Sequence, residues 1–178
     1  MFGLLLSIVI NILSLGAKPG DENINNAPII NQAIHQCTEA GGGTVVIPSG
    51  EFTTGCIDGN NVRNALCEEG MRGPHTLLLA SCDNCKVEDF EVKNSANYAF
   101  LGYLVNHASF THLRILGGWD GIHIRGARNV KIERCEMHTG DNAIAGGYWD
   151  KLKISHCILN SSCNGIRRLC HPLGWKIP

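Results

Sequence analysis

The fold is decided by residues 110–168, FTHLRILGGWDGIHIRGARNVKIERCEMHTGDNAIAGGYWDKLKISHCILNSSCNGIRR, which repeat every 22 residues. A shift of one period places apolar residues on apolar residues in three columns: Phe110, Ile132 and Ile154; Ile115 and Met137; Ile122, Ile144 and Ile166. Two further columns are small or polar throughout: Gly121, Ala143 and Gly165; Asp120, Asn142 and Asn164. A fixed period of this length is typical of a solenoid, in which each repeat covers its neighbour's apolar face.

Each copy contains short alternating runs with β-branched residues, such as residues 130–132 and 152–154, separated by Gly, Asn and Asp. Such runs indicate strands and turns, and no copy has room for a helix. We therefore predict an all-β protein whose repeats are the coils of a parallel β-helix.

This stacking has a consequence for chemistry. Residues one period apart should lie at the inter-strand distance of about 4.8 Å, so Asp120 and Asn142 should form a stacked pair. Asp141, beside Asn142, then lies one coil away from Asp120 with its side chain in reach of the same groove. The alternative is a turn role, because Asp before Gly is common in turns and stacked Asn or Asp residues stabilise β-helices.

The composition sets limits on the class of protein. The chain has 178 residues and a net charge of −1, which fits one domain, predicted at 16–178. A near-neutral pI gives no electrostatic case for a nucleic-acid or membrane partner, and we expect a monomer.

Nine cysteines cannot all pair with one another. The Cys82 and Cys85 pair has the spacing of a zinc or redox motif, but no second ligand pair and no following helix accompany it. We therefore predict no metal and no cofactor. Cys135 and Cys157 share a column, which indicates an inward ladder of small apolar residues and leaves a disulfide as the alternative.

The first 15 residues are apolar and suggest a secretory leader, although they lack a basic start and a clean cleavage site. Residues 11–17 also fit a first strand. We expect a leader that runs into the domain, and hence a secreted or periplasmic protein.

A short helix should follow the turn at residues 19–23. Its apolar face should contain Ala27, Ile29, Ile30, Ala33, Ile34 and Cys37. The N-cap is expected at Asn25 or Asn26, with Pro28 in the first turn and the glycines at 41–43 ending the helix. Such a helix would cover the open end of the solenoid, and residues 44–48 should form the next strand.

These segments carry a resemblance to a known family. GAKPGD (residues 16–21), GGGTVVIP (41–48) and GEF (50–52) resemble the start of a pectin-lyase-like right-handed β-helix. WDGI (119–122) resembles the Asn-Thr-Asp-Gly motif of glycoside hydrolase family 28, the polygalacturonase family. TGDNAI (139–144) resembles its Gly-Asp-Asp motif, and RGPHTLLL (72–79) resembles the segment that opens its central coils.

The resemblance covers most of the chain and implies a right-handed parallel β-helix that hydrolyses O-glycosidic bonds in pectic, galacturonate-containing polysaccharide. It implies an inverting reaction in which Asp141 is the general acid and Asp120 a base carboxylate. Two crowded carboxylates also raise the pKa of one of them, which would keep an acid protonated at working pH.

Three departures from the family pattern limit that expectation. Residues 52–59 run together where the family has additional coils. The chain ends soon after Arg168 without the family's Arg-x-Lys clamp, so we expect a truncated or internally shortened relative. Asn142 replaces the second Asp of the Gly-Asp-Asp motif, and Cys163 stands where the family commonly has His. Because an amide cannot act as a base, the activity should be weakened or lost.

Five residues are predicted to bind substrate beside the two aspartates. Arg125 and Arg167 could bind the carboxylate of an acidic sugar, or belong to a solvated strand face. Trp119 could stack on a sugar ring or cover a turn, as could Tyr148 and Trp149. His123 alternates with apolar neighbours and so could face the groove, or be structural; Asn142 completes the set.

Two other functions compete with hydrolysis. A catalytically inactive carbohydrate-binding or structural β-helix would explain Asn142 and Cys163. A β-eliminating lyase of the same fold usually needs a calcium site built from several acidic residues, and the polar column offers too few.

Overall fold

A computed structural model of the chain describes residues 7–58 and 73–169. Residues 1–6 of the predicted leader, Arg72 of the family-like segment, and the tail after Leu169 lie outside the described residues. One α-helix, α1 (Ala27–Glu39), precedes most of the strands. The strands are β1 (Ile8–Asn11), β2 (Gly43–Val46), β3 (Ile57–Asp58), β4 (Leu77–Ala80), β5 (Lys86–Glu88), β6 (Glu91–Lys93), β7 (Phe100–Asn106), β8 (Ser109–Thr111), β9 (Arg114–Leu116), β10 (Ile122–Glu133), β11 (Glu136–Thr139), β12 (Ile144–Ser155), β13 (Ile158–Ser161) and β14 (Ile166–Arg168).

The strands stack in parallel with the predicted period. Phe100 aligns with Ile122, Ile122 with Ile144, and Ile144 with Ile166, each 22 residues further along. One stack follows the order β3, β4, β7, β10, β12, β14, and a second follows β6, β9, β11, β13. The prediction of a parallel β-helix is therefore confirmed, with about four coils in the described part of the chain.

Single residues in the left-handed conformation form the corners of the coils. Two corner columns contain no glycine: Asn84, His107, Asn129 and Lys151; Asp89, His112, Arg134 and His156. Each of these residues has φ between 48° and 65°. A left-handed residue turns the chain sharply, so a strand can follow another after a single corner residue, at a cost of roughly 1–2 kcal/mol for each side chain other than Gly.

The core fills the space between the stacks. Its inward columns include Phe100, Phe110, Ile122, Ile132 and Met137, all at most 1% exposed. Each such side chain lies directly above the one in the preceding coil, so the apolar faces cover one another, as the repeat predicts.

Helix α1 covers the N-terminal end of this core, as predicted. Its buried face, with Ala27, Ile30 and Ala33, packs on Ile12 and Ile57. No helix among the described residues is long and apolar enough to cross a membrane.

The first strand lies earlier than predicted. It is β1, which pairs with β2, and the following residues Ile12–Leu15 form a 3₁₀ helix in place of the strand expected at 11–17. The side chain of Asn11 accepts a hydrogen bond from the backbone N–H of Leu13, and this local cap starts the helix.

Asn26 occupies the N-cap position of α1, but its side chain serves another purpose. The backbone N–H of Lys18 donates to Oδ1 of Asn26 over 2.9 Å, and Nδ2 of Asn26 donates to the carbonyls of Lys18, Ile24 and Thr53. The neighbouring Asn25 accepts from the N–H of Ala27 instead. Asn26 is fully buried and joins three segments of backbone at the covered end.

Candidate functional site

The polar column forms a ladder of side-chain hydrogen bonds across three coils. Nδ2 of Asn142 donates to Oδ1 of Asp120 over 2.9 Å, and Nδ2 of Asn164 donates to Oδ1 of Asn142 over 2.9 Å. The predicted contact between Asp120 and Asn142 is present. It forms because both residues immediately precede aligned strands, β10 and β12.

The carboxylate of Asp120 is buried and accepts three hydrogen bonds. Asp120 as a whole is only 2% exposed. Nδ1 of His123 lies 2.6 Å from Oδ2, and the backbone N–H of Asn142 lies 2.9 Å from Oδ1, beside the Nδ2 donor. Burial alone would raise the pKa of Asp120, but the bonds from His123 and Asn142 outweigh it and hold that pKa below its usual value. The sequence led us to expect that one carboxyl of the crowded pair has a raised pKa, and Asp120 is not that carboxyl.

Asp141 and Asp120 both accept hydrogen bonds from the side-chain amide of Asn142. Nδ2 of Asn142 donates to Oδ1 of Asp141 over 2.9 Å while it also donates to Asp120. An amide nitrogen carries two hydrogens, so one NH₂ group can bind both carboxylates at once. Asp141 is partly exposed, and of the two carboxylates it is the one that reaches solvent.

His123 lies on the outward side of β10 beneath aromatic rings. Its ring stacks on Tyr98 with centroids 4.6 Å apart and planes 10° apart, and Tyr98 stacks in turn on His75. The predicted outward direction is correct, but His123 is 3% exposed and its ring nitrogens contact Asp120 and Arg125.

The predicted substrate-binding residues fall into two groups. Arg125 is directed at its neighbours: Nε donates to Nε2 of His123 over 3.2 Å, and one terminal nitrogen donates to the hydroxyl of Tyr103 over 2.7 Å. Arg167 is exposed, and its position aligns with Ala145 on the outward side of β12. Trp119 is 40% exposed, and its carbonyl accepts from the N–H of Asp141, which places Trp119 one coil before Asp141.

The two other aromatic candidates lie at a corner of the coil. Tyr148 occupies a left-handed corner position and is exposed. The indole N–H of Trp149 donates to the carbonyl of Ile124 over 2.9 Å, and its ring packs on the core. The sequence allowed Trp149 either to stack on a sugar ring or to cover a turn, and these contacts favour the second role.

Three residues of the cluster were missed from the sequence: His75, Tyr98 and Tyr103. For two of them, the tyrosines, the sequence repeat contained a signal. Tyr98 precedes Asp120 by one period, and Tyr103 aligns with Arg125 in the register of β7 and β10. Extending the 22-residue comparison towards the N-terminus would have found both.

The cysteines that the structure describes are not grouped as metal ligands. Among the described residues, no group of three or more His, Cys, Asp or Glu is placed to hold a metal ion. Cys135 and Cys157 are free thiols, which decides for the inward ladder and against a disulfide between them. Burial raises the pKa of Cys135 to about 11. Cys82 and Cys85 are also free.

Comparison with known proteins agrees with this architecture. The sequence profile described as "Right handed beta helix region" matches residues 45–168. The chain therefore belongs to the right-handed β-helix family. No curated protein matches the sequence. A solved structure from Parabacteroides merdae ATCC 43184, described as a "putative glycosyl hydrolase", is similar with a TM-score of 0.66 and 16% identity, covering 87% of this chain and 96% of that one. At this identity the likeness shows the fold alone.

Proposed function

We propose that the protein is a glycoside hydrolase of the polygalacturonase type, which cleaves O-glycosidic bonds in pectic, galacturonate-containing polysaccharide. The observation that carries the proposal is the shared amide of Asn142, which holds the carboxylates of Asp120 and Asp141 together. Each has an oxygen 2.9 Å from the same nitrogen. These two oxygens therefore lie at most about 6 Å apart, so both carboxylates face one groove. This spacing is shorter than the roughly 6.5–9.5 Å usual for inverting enzymes, and the inversion proposed here follows from the family resemblance alone.

The environments of the two carboxylates suit different roles. Asp141 is partly exposed, so it can reach the oxygen of the leaving sugar and donate a proton to it. Asp120 accepts three hydrogen bonds that favour its charged form, as a base carboxylate requires. Water activated by Asp120 would attack the anomeric carbon, with the inversion that the family resemblance implies.

The exposed neighbours suit an acidic sugar chain. Arg167 can bind a carboxylate in a bidentate manner, and Trp119, one coil before Asp141, offers a ring face for stacking. The name of the Parabacteroides merdae structure and the family-like motifs around Asp120 and Asp141 support a protein that acts on glycans. We further propose that it acts as a secreted or periplasmic monomer, where such polymers are found.

A reducing-end assay tests the proposal. The purified protein should release reducing ends slowly from polygalacturonate or rhamnogalacturonan, and Asp141→Asn should abolish the release while the protein stays folded. Asp150→Asn is the matched control, since Asp150 is an exposed carboxylate on β12 that pairs with Nε of Arg128 over 3.5 Å. Products that absorb in the ultraviolet as unsaturated sugars would favour a lyase.

A second function is favoured by the burial of Asp120 and by the amide at position 142. A carboxylate that is 2% exposed has little access to water, and Asn142 cannot replace it as a base. Both observations fit a non-catalytic, carbohydrate-binding β-helix. Saturable binding of oligogalacturonate in calorimetry, without reducing ends across the whole substrate panel, would decide for this function.

A further inference from the structure

The side chain of Arg125 determines where the proton of His123 lies. Nε of an arginine carries a hydrogen and can only donate. Because Nε of Arg125 lies 3.2 Å from Nε2 of His123, that ring nitrogen must be the acceptor and carry a lone pair. The single proton of the neutral ring is then on Nδ1, where it is donated to Oδ2 of Asp120 over 2.6 Å.

We infer that Arg125 and His123 are positioning residues for Asp120, and that Arg125 is not a clamp for the substrate carboxylate. This inference rests on the proposed function. The hydrogen bonds run in one direction, from Arg125 to His123 and from His123 to Asp120, so Asp120 is the final acceptor. His123 itself has no acceptor nitrogen left for a water or a sugar hydroxyl, and it is excluded as the base.

Two tyrosines hold this arrangement in place. The hydroxyl of Tyr103 accepts from Arg125 over 2.7 Å, and the guanidinium carbon lies 5.4 Å from the centre of the Tyr103 ring. The ring of Tyr98 covers one face of the His123 imidazole. These contacts come from β7 and the residues before it, one coil below the candidate catalytic residues, so they fix both side chains from the same side. Packing of this kind locks the rotamers of a site before substrate arrives.

A positioning role and a clamp role predict different kinetics. If Arg125 acts through His123 on Asp120, Arg125→Ala should lower kcat by about 10²-fold, the lower end of what a general base contributes, and leave KM within about twofold. If Arg125 binds the substrate carboxylate, the same change should raise KM and leave kcat unchanged. Arg167→Ala serves as the comparison, because Arg167 is exposed and should show the clamp behaviour.

The proton position can be measured without any substrate. Nitrogen-15 NMR of the full chain at pH 8, where an ordinary imidazole is neutral, should show His123 with a protonated Nδ1 and an unprotonated Nε2. Among the residues that the structure describes, the titratable and charged groups in contact with the ring include Asp120, Arg125 and Tyr98, with His75 beyond Tyr98. In Arg125→Ala the donor to Nε2 is gone, so the Nε2 resonance should shift as that nitrogen loses its hydrogen bond; Arg125→Lys, which keeps a donor, should restore the wild-type spectrum in part.

Tyr103→Phe gives a milder variant in case Arg125→Ala does not fold. It removes the hydroxyl that accepts from Arg125 and should lower kcat by a smaller factor, again with KM unchanged. A proton on Nε2 and none on Nδ1 in the wild-type protein would overturn the inference, as would a rise in KM alone for Arg125→Ala. Absence of hydrolysis would instead sink the proposed function, because the nitrogen shifts test the arrangement of Arg125, His123 and Asp120 independently.

Discussion

Two polar side chains, Asn26 and Asp120, are buried at different places in the β-helix, and their partners differ in kind. The side chain of Asn26 bonds to backbone atoms of Lys18, Ile24 and Thr53. Two of the three donors to Asp120 are side chains, those of His123 and Asn142. Backbone partners carry no titratable group, so Asn26 joins chain segments and does nothing else. Side-chain partners can take up, release or redirect protons.

The ladder itself shows that a charge at position 120 is not needed for structure. One coil further on, in the same column, the amide of Asn142 bridges to its neighbour, and Asn164 does so again. A neutral amide therefore suffices to link coils in this column. Burying a charge is far more costly than burying an amide unless several donors compensate. The charge at Asp120 is instead compensated by its three donors, which the neutral members of the column do not need.

Among the substitutions that test this difference between Asn26 and Asp120, Asn142→Asp should have the largest effect, and the effect should be on activity. The change adds a carboxylate beside Asp120 and Asp141, where like charges share protons and one member of the cluster can act as acid or base. We expect hydrolysis to rise by about 10²–10⁴-fold, the usual worth of general acid-base catalysis. Initial rates of reducing-end release measure it.

Asn164→Asp is the control for that variant, because Asn164 lies in the same column but is exposed and one coil further away. It should leave the rate unchanged. A folded Asn142→Asp protein that stays inert would show that the missing carboxylate at position 142 does not limit the reaction.

The next largest effect is expected on stability, from Asn26→Ala. The substitution removes the side-chain partner of the N–H and the carbonyl of Lys18, and each group left unsatisfied costs about 1–3 kcal/mol. The carbonyl of Thr53 keeps its hydrogen bond from the backbone N–H of residue 26. We expect the free energy of unfolding to fall by about 3 kcal/mol in urea denaturation, with the specific activity of the folded protein unchanged. Asn25→Ala, which removes the bonds to Ala27 and Gly55 from a more peripheral amide, should cost less.

A smaller effect should appear in the pH dependence of stability. The pKa of Asp120 is lower in the folded protein than in the unfolded chain, so its contribution to stability is complete above the unfolded value of about 3.9 and is lost as the pH falls through the folded value. In Asn142→Ala one donor to the carboxylate is removed and the folded pKa rises towards the unfolded value, so the loss of stability should be smaller and should be complete at a higher pH. Carbon-13 NMR of the Asp120 carboxyl together with denaturation between pH 2 and 6 measures both; equal titration of Asp120 in the two proteins would contradict the role of that donor.

The smallest effect is expected at the exposed end of the ladder. Asn164→Ala removes the donor to Oδ1 of Asn142, and a single partly exposed hydrogen bond contributes about 0.5–1.5 kcal/mol. We expect a loss in the lower half of that range by thermal unfolding. A loss as large as that of Asn26→Ala would mean that the ladder is a structural element like the Asn26 cluster, and the comparison would fail.

Much of the fold could be predicted because the repeat reports packing directly. The columns through Phe110, Ile122 and Ile115 coincide with the observed register. The prediction of a strand at 11–17 was wrong because a run of apolar residues does not reveal a local side-chain cap. The hydrogen bond from Leu13 to Asn11 starts a 3₁₀ helix there, and β1 lies before it.

For the candidate site, the sequence predicted which residues lie near one another but not which partners their side chains bind. The contact between Asp120 and Asn142 follows from the period alone, because stacked residues in aligned coils must meet. The direction of the Arg125 side chain does not, since it depends on the Tyr103 hydroxyl and on the torsion angles of a long side chain. Sequence periodicity places a residue on a face, but which partner it then binds is decided by neighbours one coil away.

The recurrence of single left-handed corners restricts how the length of this chain can change. Deleting one residue between Ile122 and Ile144 would turn the remaining strand over, so that Ala145 would point into the core and Ile144 into solvent. Removing or duplicating residues 122–143 as a unit would instead join matching corners and matching columns. Viable length variants of this molecule should therefore differ by whole coils, or by loops inserted where no column crosses.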